Sequence, residues 1–301
     1  MTLVDGTSRV IPGIERPVGP VGFGCWRFVH DDITVARHVL DTALDAGLTL
    51  VDTADVYGLD WGGSGFGGAE TLLGRILDDA PHLRDEMVLA TKGGIRPGTP
   101  YDSSAEWIRT ACVDSLRRLG LDHVDLWQLH RPDPMTPPAE VAGALADLVR
   151  EGFARAVGVS NHTPAQQAVV AEAMQHERVT LATIQPELSL VNLGPMWDTT
   201  LARCSLDGVV PLAWSPLAGG SLAQGAAGAS VTSILDELAA REGCDPSVVA
   251  VAFVLALPGR PVAIVGSQRP DRLRALAAAG SVHLDRADCY RLIAATGEEL
   301  P

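Results

Sequence analysis

Lysine is almost absent from this chain. Of its 23 basic residues 22 are arginine, and Lys92 is the only lysine. Arginine serves wherever a positive charge has only to be solvated. The surviving lysine therefore marks a place for a compact ammonium whose pKa moves on burial, which a forked, permanently charged guanidinium cannot replace. Positive charge of any kind is scarce: 37 acidic residues leave a net charge of −14, which repels phosphate backbones and anionic membrane surfaces and argues against a nucleic-acid or membrane partner. Cysteine is sparse too. Cys25, Cys112, Cys204, Cys244 and Cys289 form no CxxC pair, and their odd number argues against a closed disulfide framework. No apolar run approaches the roughly 18 residues that would suggest a membrane span, and MTLVDGTSRVIPG has no basic segment followed by an apolar core, so no signal peptide is expected. Free thiols in a reducing, cytoplasmic setting are the expectation.

Ordinary globular composition fills the rest, 47% hydrophobic and 20% charged over 301 residues. Short runs rich in Val, Leu and Ile recur at 20–24, 48–52, 87–91, 124–129, 155–159, 181–184, 209–213 and 262–265, eight strand candidates. Between them apolar residues fall at helical spacing, as in Val35, Val39, Leu40 and Ala43, or Ile108, Cys112, Leu116 and Leu119. Asp31 and Asp32, Ser103 and Ser104 with Glu106, and Thr163 with Pro164 read as helix starts; Gly47, Gly120 and Gly152 read as helix ends. Eight buried strands alternating with helices predict an α/β fold, a closed (β/α)8 TIM barrel forming one domain over 1–301. RVIPGIERPV, before the first strand, is expected to form a β-hairpin that plugs the barrel floor. Residues 215–230 read as a long loop of small residues before a helix pair at 231–242 and 246–257, and 286–297 as an extra C-terminal helix.

Chemistry in such a barrel gathers at the C-terminal strand ends. There the sequence places Gly24, Cys25 and Trp26; Asp52, with Tyr57 in the loop beyond; Lys92; His130; Ser160 and Asn161; Gln185; Trp214 and Ser215; and Gly266, Ser267 and Gln268. An acid, a phenol, the sole lysine and an imidazole from three successive strands make a proton-transfer site. Asp52 is expected to hold Lys92 charged, and the ammonium to lower the Tyr57 pKa toward neutrality.

GLTLVDTADVYG, GGAETLLGRIL, ATKGG, SLRRLGLDHVDLWQLHRPD, REGFARAVGVSNHTP, IQPELSL, LAWSPLAGG and VAIVGSQRPDRL, in this order and spacing, resemble the aldo/keto reductases over nearly the full length. The resemblance implies a nicotinamide cofactor, usually NADPH, and reduction of an aldehyde or ketone. It implies a tetrad of Asp52, Tyr57, Lys92 and His130, with Tyr57 as general acid and His130 orienting the substrate oxygen. Gly24, Cys25, Trp26 and Asp52 are expected beside the cofactor. Ser160, Asn161 and Gln185 would bind the nicotinamide carboxamide and Trp214 would stack on its ring. Ser215, Pro216, Leu217 and Gly219 would cover the pyrophosphate, Gly266 would lie beside the cofactor, and Ser267, Gln268 and Arg272 would hold the adenosine 2′-phosphate.

Where many members carry Lys this chain has Gly266, and Ala275 and Leu276 replace a Glu-Asn pair near the adenine. Arg272 and Arg269 still favour NADPH over NADH. Trp26, Tyr57, His130, Trp61 and Phe66 are expected to contact a small-molecule carbonyl substrate, with aromatics suiting an apolar or ring-bearing one. A monomer is expected. Two other readings exist: a cofactor-sensing regulatory subunit without turnover, and a metal-dependent hydrolase using Asp52, Asp55, His130 and Asp133, though no His-x-His occurs.

Overall fold

A computed structural model describes residues 1–300. Eight parallel strands close into a barrel: Val21–Gly24, Leu50–Asp52, Val88–Gly93, Val124–Leu129, Ala154–Ser160, Leu181–Gln185, Val210–Trp214 and Val262–Val265. The first strand pairs with the second and the eighth, which joins the edges. Each run singled out by its apolar content supplies one of these strands, so the TIM-barrel expectation holds.

Helix starts follow local capping chemistry. Asp32 accepts from the Thr34 amide ahead of the helix Ile33–Asp45, and Ser104 accepts from the Trp107 amide ahead of Ala105–Leu119. Thr163 and Gln166 form a reciprocal capping box at Pro164–His176, with Pro164 in the first turn, where its missing N–H costs nothing. The seventh unit carries two helices, Ala229–Glu242 and Pro246–Leu255. The extra C-terminal helix runs Arg286–Ala295, capped by Asp285 and Asp288.

Strand side chains alternate between a shell packed against the helices and the barrel interior. The interior floor consists of Leu50, Val88, Ala90, Leu126, Ala156, Ala182, Val210, Leu212, Val262 and Ile264, closed from below by Ile11, Ile14 and Val18. The N-terminal segment thus plugs the barrel as expected, but its hairpin is a single antiparallel pair, Arg9 with Val18.

Two residues along each strand from this floor the interior becomes polar: Asp52 above Leu50, Lys92 above Ala90, Gln128 above Leu126, Gly158 above Ala156, Trp214 above Leu212. The sixth strand reaches the same layer by an irregularity. Val157 pairs with Leu181 but Gly158 pairs with Thr183, so one extra residue, Ala182, is inserted. The bulge reverses the alternation and turns Thr183 and Gln185 inward while Ile184 joins the outer core. A two-stranded hairpin absent from the sequence expectations, Ile95–Arg96 with Thr99–Tyr101, follows the third strand. Among the described residues no helix is long and apolar enough to cross a membrane.

Candidate active site

Backbone pairing sets the position of Tyr57. Beyond Asp52 the Thr53 amide donates to the Ala90 carbonyl (2.8 Å) and the Asp55 amide to that of Lys92 (3.0 Å), before the Tyr57 amide turns back to Ala54 (3.1 Å). The glycine-rich insertion locks this turn: Gly67 donates to Asp55 (2.6 Å), Gly65 to Gly58 (2.9 Å) and Ala69 to Tyr57 (3.0 Å). Gly58 has φ +115°, and a Cβ there would lie 2.5 Å from the Gly65 carbonyl oxygen, so no other residue fits.

Lys92 is wholly buried. Its Nζ donates to Asp52 Oδ2 (2.6 Å) and to the Thr53 carbonyl (2.8 Å), and lies 4.9 Å from the centre of the Tyr57 ring. Burial works against the ammonium, but Asp52 and Tyr57 outweigh it and hold the pKa above that of an ordinary lysine. The expected charged lysine is therefore present. Tyr57 departs from expectation. Burial raises its pKa more than Lys92 lowers it, leaving the phenol above its ordinary value and protonated throughout the neutral range. Its ring meets that of His130 edge to face, centroids 5.9 Å apart. Burial first, then Lys92 and Arg131, depress the His130 pKa well below that of free histidine, so the imidazole is neutral. Its Nδ1 is buried without a partner, which leaves Nε2 as the nitrogen open to the cavity.

Behind the turn lies a second acid group. Glu70, buried, accepts from Thr91 and from Arg118 Nε (2.7 Å). Asp55 is buried with both carboxyl oxygens unpartnered, and desolvation, reinforced by Glu70, raises its pKa well above the carboxylate range. A raised folded-state pKa contributes stability that is present below the ordinary carboxylate pKa and lost as pH climbs toward the folded value. Asp55→Asn should therefore match the parent near pH 4 and melt about 2 °C or more above it at pH 8. Thermal melts across that range check this; equal pH dependence in both proteins would refute it.

A cavity of about 630 Å³ runs from the tetrad across the barrel mouth. Of the expected residues Gly24, Trp26, Asp52, Tyr57, His130, Ser160, Asn161, Gln185, Trp214, Ser215, Pro216, Leu217, Gly219, Gly266, Ser267, Gln268 and Arg272 all line it. Trp214 is aimed by its Nε1, which donates to Asn161 Oδ1 (3.0 Å), and Asn161 Nδ2 in turn donates to the His130 carbonyl (3.1 Å) and to Ser160 Oγ (2.8 Å). Gln185 Nε2 donates to Asp52 Oδ1 (2.9 Å), leaving its Oε1 for a ligand. Ser215, Ala218, Gly219 and Gly220 all have positive φ, and the loop is held by its own amides: Ala218 donates to the Ser215 carbonyl, Gly219 to Ser215 Oγ and Gly220 to the Leu217 carbonyl, each 2.8 Å. Among the described residues Arg272 makes no side-chain hydrogen bond or ion pair, whereas Arg269 is paired with Asp271 (2.6 Å). An indole, a loop of small residues and a guanidinium that line one groove fit a dinucleotide.

Three expected contacts lie elsewhere. Cys25 is buried in the outer core, where desolvation raises its thiol pKa. Phe66 sits under the Arg118 guanidinium, 5.8 Å away, on the far side of the Tyr57 turn. Trp61 does not line the cavity but packs on Trp26, ring centres 5.6 Å apart, with the Arg27 guanidinium 4.3 Å above it. Arg27 Nη2 donates to the Gly219 carbonyl (2.8 Å), tying the first strand's loop to the amide loop. The residues of the hydrolase reading do not converge: Asp52 faces Lys92, Asp133 accepts from the Ser103 and Met135 amides, and among the described residues no three metal-ligating side chains gather.

The sequence profile of the Aldo/keto reductase family matches residues 20–295. A 6-dehydroglucose reductase of Novosphingobium aromaticivorans is 44% identical over 289 residues, covering 94% of each chain. One of the same name from Agrobacterium fabrum is 37% identical, covering 97% of this chain and 99% of the relative. Among solved structures, the glycerol dehydrogenase of Gluconobacter oxydans superposes with a TM-score of 0.83 at 28% identity, covering 96% of this chain and 94% of the other.

Proposed function

The chain belongs to the aldo/keto reductase family and is a carbonyl-reducing oxidoreductase, and on that premise we propose that it is a cytoplasmic monomer that reduces the aldehyde group of a small polyhydroxylated compound with NADPH. The observation that carries the reading is the buried Asp52–Lys92 pair beneath a protonated phenol and beside a neutral imidazole, all at one end of the groove.

When bound, the nicotinamide supplies hydride. The remaining work falls to the chain. Trp214 gives the ring a face to lie on, and Ser160, Asn161 and Gln185 fix which side of it points at the substrate. The His130 Nε2 side orients the carbonyl oxygen toward Tyr57, whose hydroxyl donates the proton. Lys92, held by Asp52, stabilises the phenolate that this donation leaves behind.

The substrate class rests on the mouth. Asp60 and Arg131 line the cavity, and among the described residues neither has an ion-pair or side-chain hydrogen-bond partner. Trp26 adds an exposed indole to the same lining. A carboxylate and a guanidinium suit hydroxyl groups, and an indole face suits the C–H face of a sugar ring. Two relatives bear the name of a dehydroglucose reductase, which favours the same class.

Arg272 is the proposed partner of the adenosine 2′-phosphate. Arg272→Ala is expected to weaken NADPH binding about tenfold or more, the loss of one charge-assisted contact, with little effect on NADH. Fluorescence titration with both cofactors checks it; equal losses would remove the phosphate role. The reading as a whole is tested by adding NADPH and then 6-aldehydo sugars or simple aldehydes to purified protein. Turnover is expected; cofactor quenching with no turnover of any aldehyde would favour the regulatory-subunit reading.

A further inference from the structure

Asp52 shares its layer of the barrel with two buried side chains that the carbonyl chemistry leaves unexplained, Gln128 and Thr183. Gln128 Nε2 lies 3.4 Å from Asp52 Oδ1, and Thr183 Oγ1 lies 3.1 Å from Gln128 Oε1. Their polarity follows from charge. Asp52, facing an ammonium, is a carboxylate and accepts only, so the amide must turn its N–H toward it. The amide oxygen then faces Thr183, and the threonine hydroxyl must donate. Two features of the backbone serve this chain. The Ala182 bulge brings Thr183 inward. Gly158 leaves room for it: a Cβ at that position would stand 2.0 Å from Thr183 Oγ1. The glycine of the GVSN motif thus has a steric cause within this layer.

Asp52 Oδ2 is engaged by Lys92, and its Oδ1 by Gln185 and, more distantly, Gln128. Donors on Oδ1 draw carboxylate charge away from the lysine side, so the ammonium is incompletely neutralised and still acts on the phenol. We propose that Gln128, oriented by Thr183, is a positioning residue that engages Asp52 Oδ1 on the side away from Lys92 and so keeps part of the ammonium charge available to the Tyr57 hydroxyl. Neither residue reaches the cavity, so both act through Asp52. The proposal rests on the reductase reading above.

The test uses the full chain with NADPH and 4-nitrobenzaldehyde, comparing Gln128→Leu, Thr183→Val and Thr183→Ser across pH 7–12, a window that spans the alkaline limb set by the raised phenol. With a donor lost from Oδ1, Asp52 offsets more of the Lys92 charge and Tyr57 becomes a weaker acid. Gln128→Leu is expected to lower kcat about tenfold, less than the roughly 10²–10⁴ lost when a general acid is removed outright. It should also move the alkaline limb of the rate profile to higher pH, while the aldehyde KM and NADPH affinity stay within about twofold. Thr183→Val, nearly isosteric, should shift the limb in the same direction by less, and Thr183→Ser, which keeps the hydroxyl, should retain the parent profile. NADPH fluorescence titration reports that each variant is folded, and if Gln128→Leu fails to fold the Thr183 pair decides. A limb unmoved in Thr183→Val, or moved equally in Thr183→Ser, overturns the proposal. No turnover in the parent with any aldehyde would instead overturn the reductase reading itself.

Discussion

Tyr57→Phe is expected to reduce carbonyl compounds about a thousandfold more slowly than the parent while binding NADPH within about twofold. The general acid is the group whose removal acts on the transition state alone, and such groups contribute roughly 10²–10⁴ in rate; a thousandfold is about 4 kcal/mol of barrier. The ring stays, with its edge-to-face contact on His130 and its place beside Lys92, so the groove keeps its shape and only the proton is lost. The raised phenol pKa fixes the pH behaviour of the parent. Reduction, which needs the protonated phenol, should be flat through neutrality and fall only on the alkaline side, whereas alcohol oxidation, which needs the phenolate, should rise with pH over the same range. Steady-state rates in both directions with fluorescence titration of cofactor make the test. A Phe variant within tenfold of the parent would assign the proton to another group.

Lys92→Met is expected to lose both activity and stability, the second by about 3–5 kcal/mol, because it leaves the buried Asp52 carboxylate without its cation. For a chain of this size that is a fall of roughly 5–10 °C in the thermal midpoint. Lys92→Arg should do little better: Nζ is held between Asp52 at 2.6 Å and the Thr53 carbonyl at 2.8 Å, in a fully buried site shaped for a single ammonium. The cost arises from an unpaired charge, so Asp52→Asn combined with Lys92→Met should be more stable than Lys92→Met alone, a non-additivity that a double-variant cycle measures. Additive losses would show that the two side chains merely pack. Because the Lys92 pKa is raised, its contribution should persist across the neutral range and be lost only as pH rises through the lysine region.

The barrel was legible because buried parallel strands leave continuous apolar runs, and the runs at 124–129 and 262–265 coincide with strands end to end. The tetrad was legible for a related reason: Asp52, Lys92 and His130 each follow such a run, and lysine occurs once. Gln128 carried a signal that was not used, a polar residue at even spacing between Leu126 and His130, and hence on the interior face. Thr183 carried none, since strict alternation from Ala182 puts it outside and only the bulge brings it in. The sign of the Tyr57 shift could not be read from residue types, because it depends on whether desolvation or the neighbouring ammonium dominates. Phe66 was misplaced because the glycine-rich insertion folds back under the Tyr57 turn through backbone hydrogen bonds that its composition does not specify. The Ile95–Tyr101 hairpin, exposed and only a few residues long, had no apolar pattern to announce it.

The central claim is that hydride passes directly from the nicotinamide to a carbonyl carbon at this site. NADPH carrying deuterium at the transferable C4 position, mixed with an aldehyde and the purified protein, puts the claim to mass and NMR analysis of the alcohol formed. Direct transfer is expected to leave one deuterium on the carbinol carbon and to release none to water. An alcohol without label, or label found in the solvent, would contradict it.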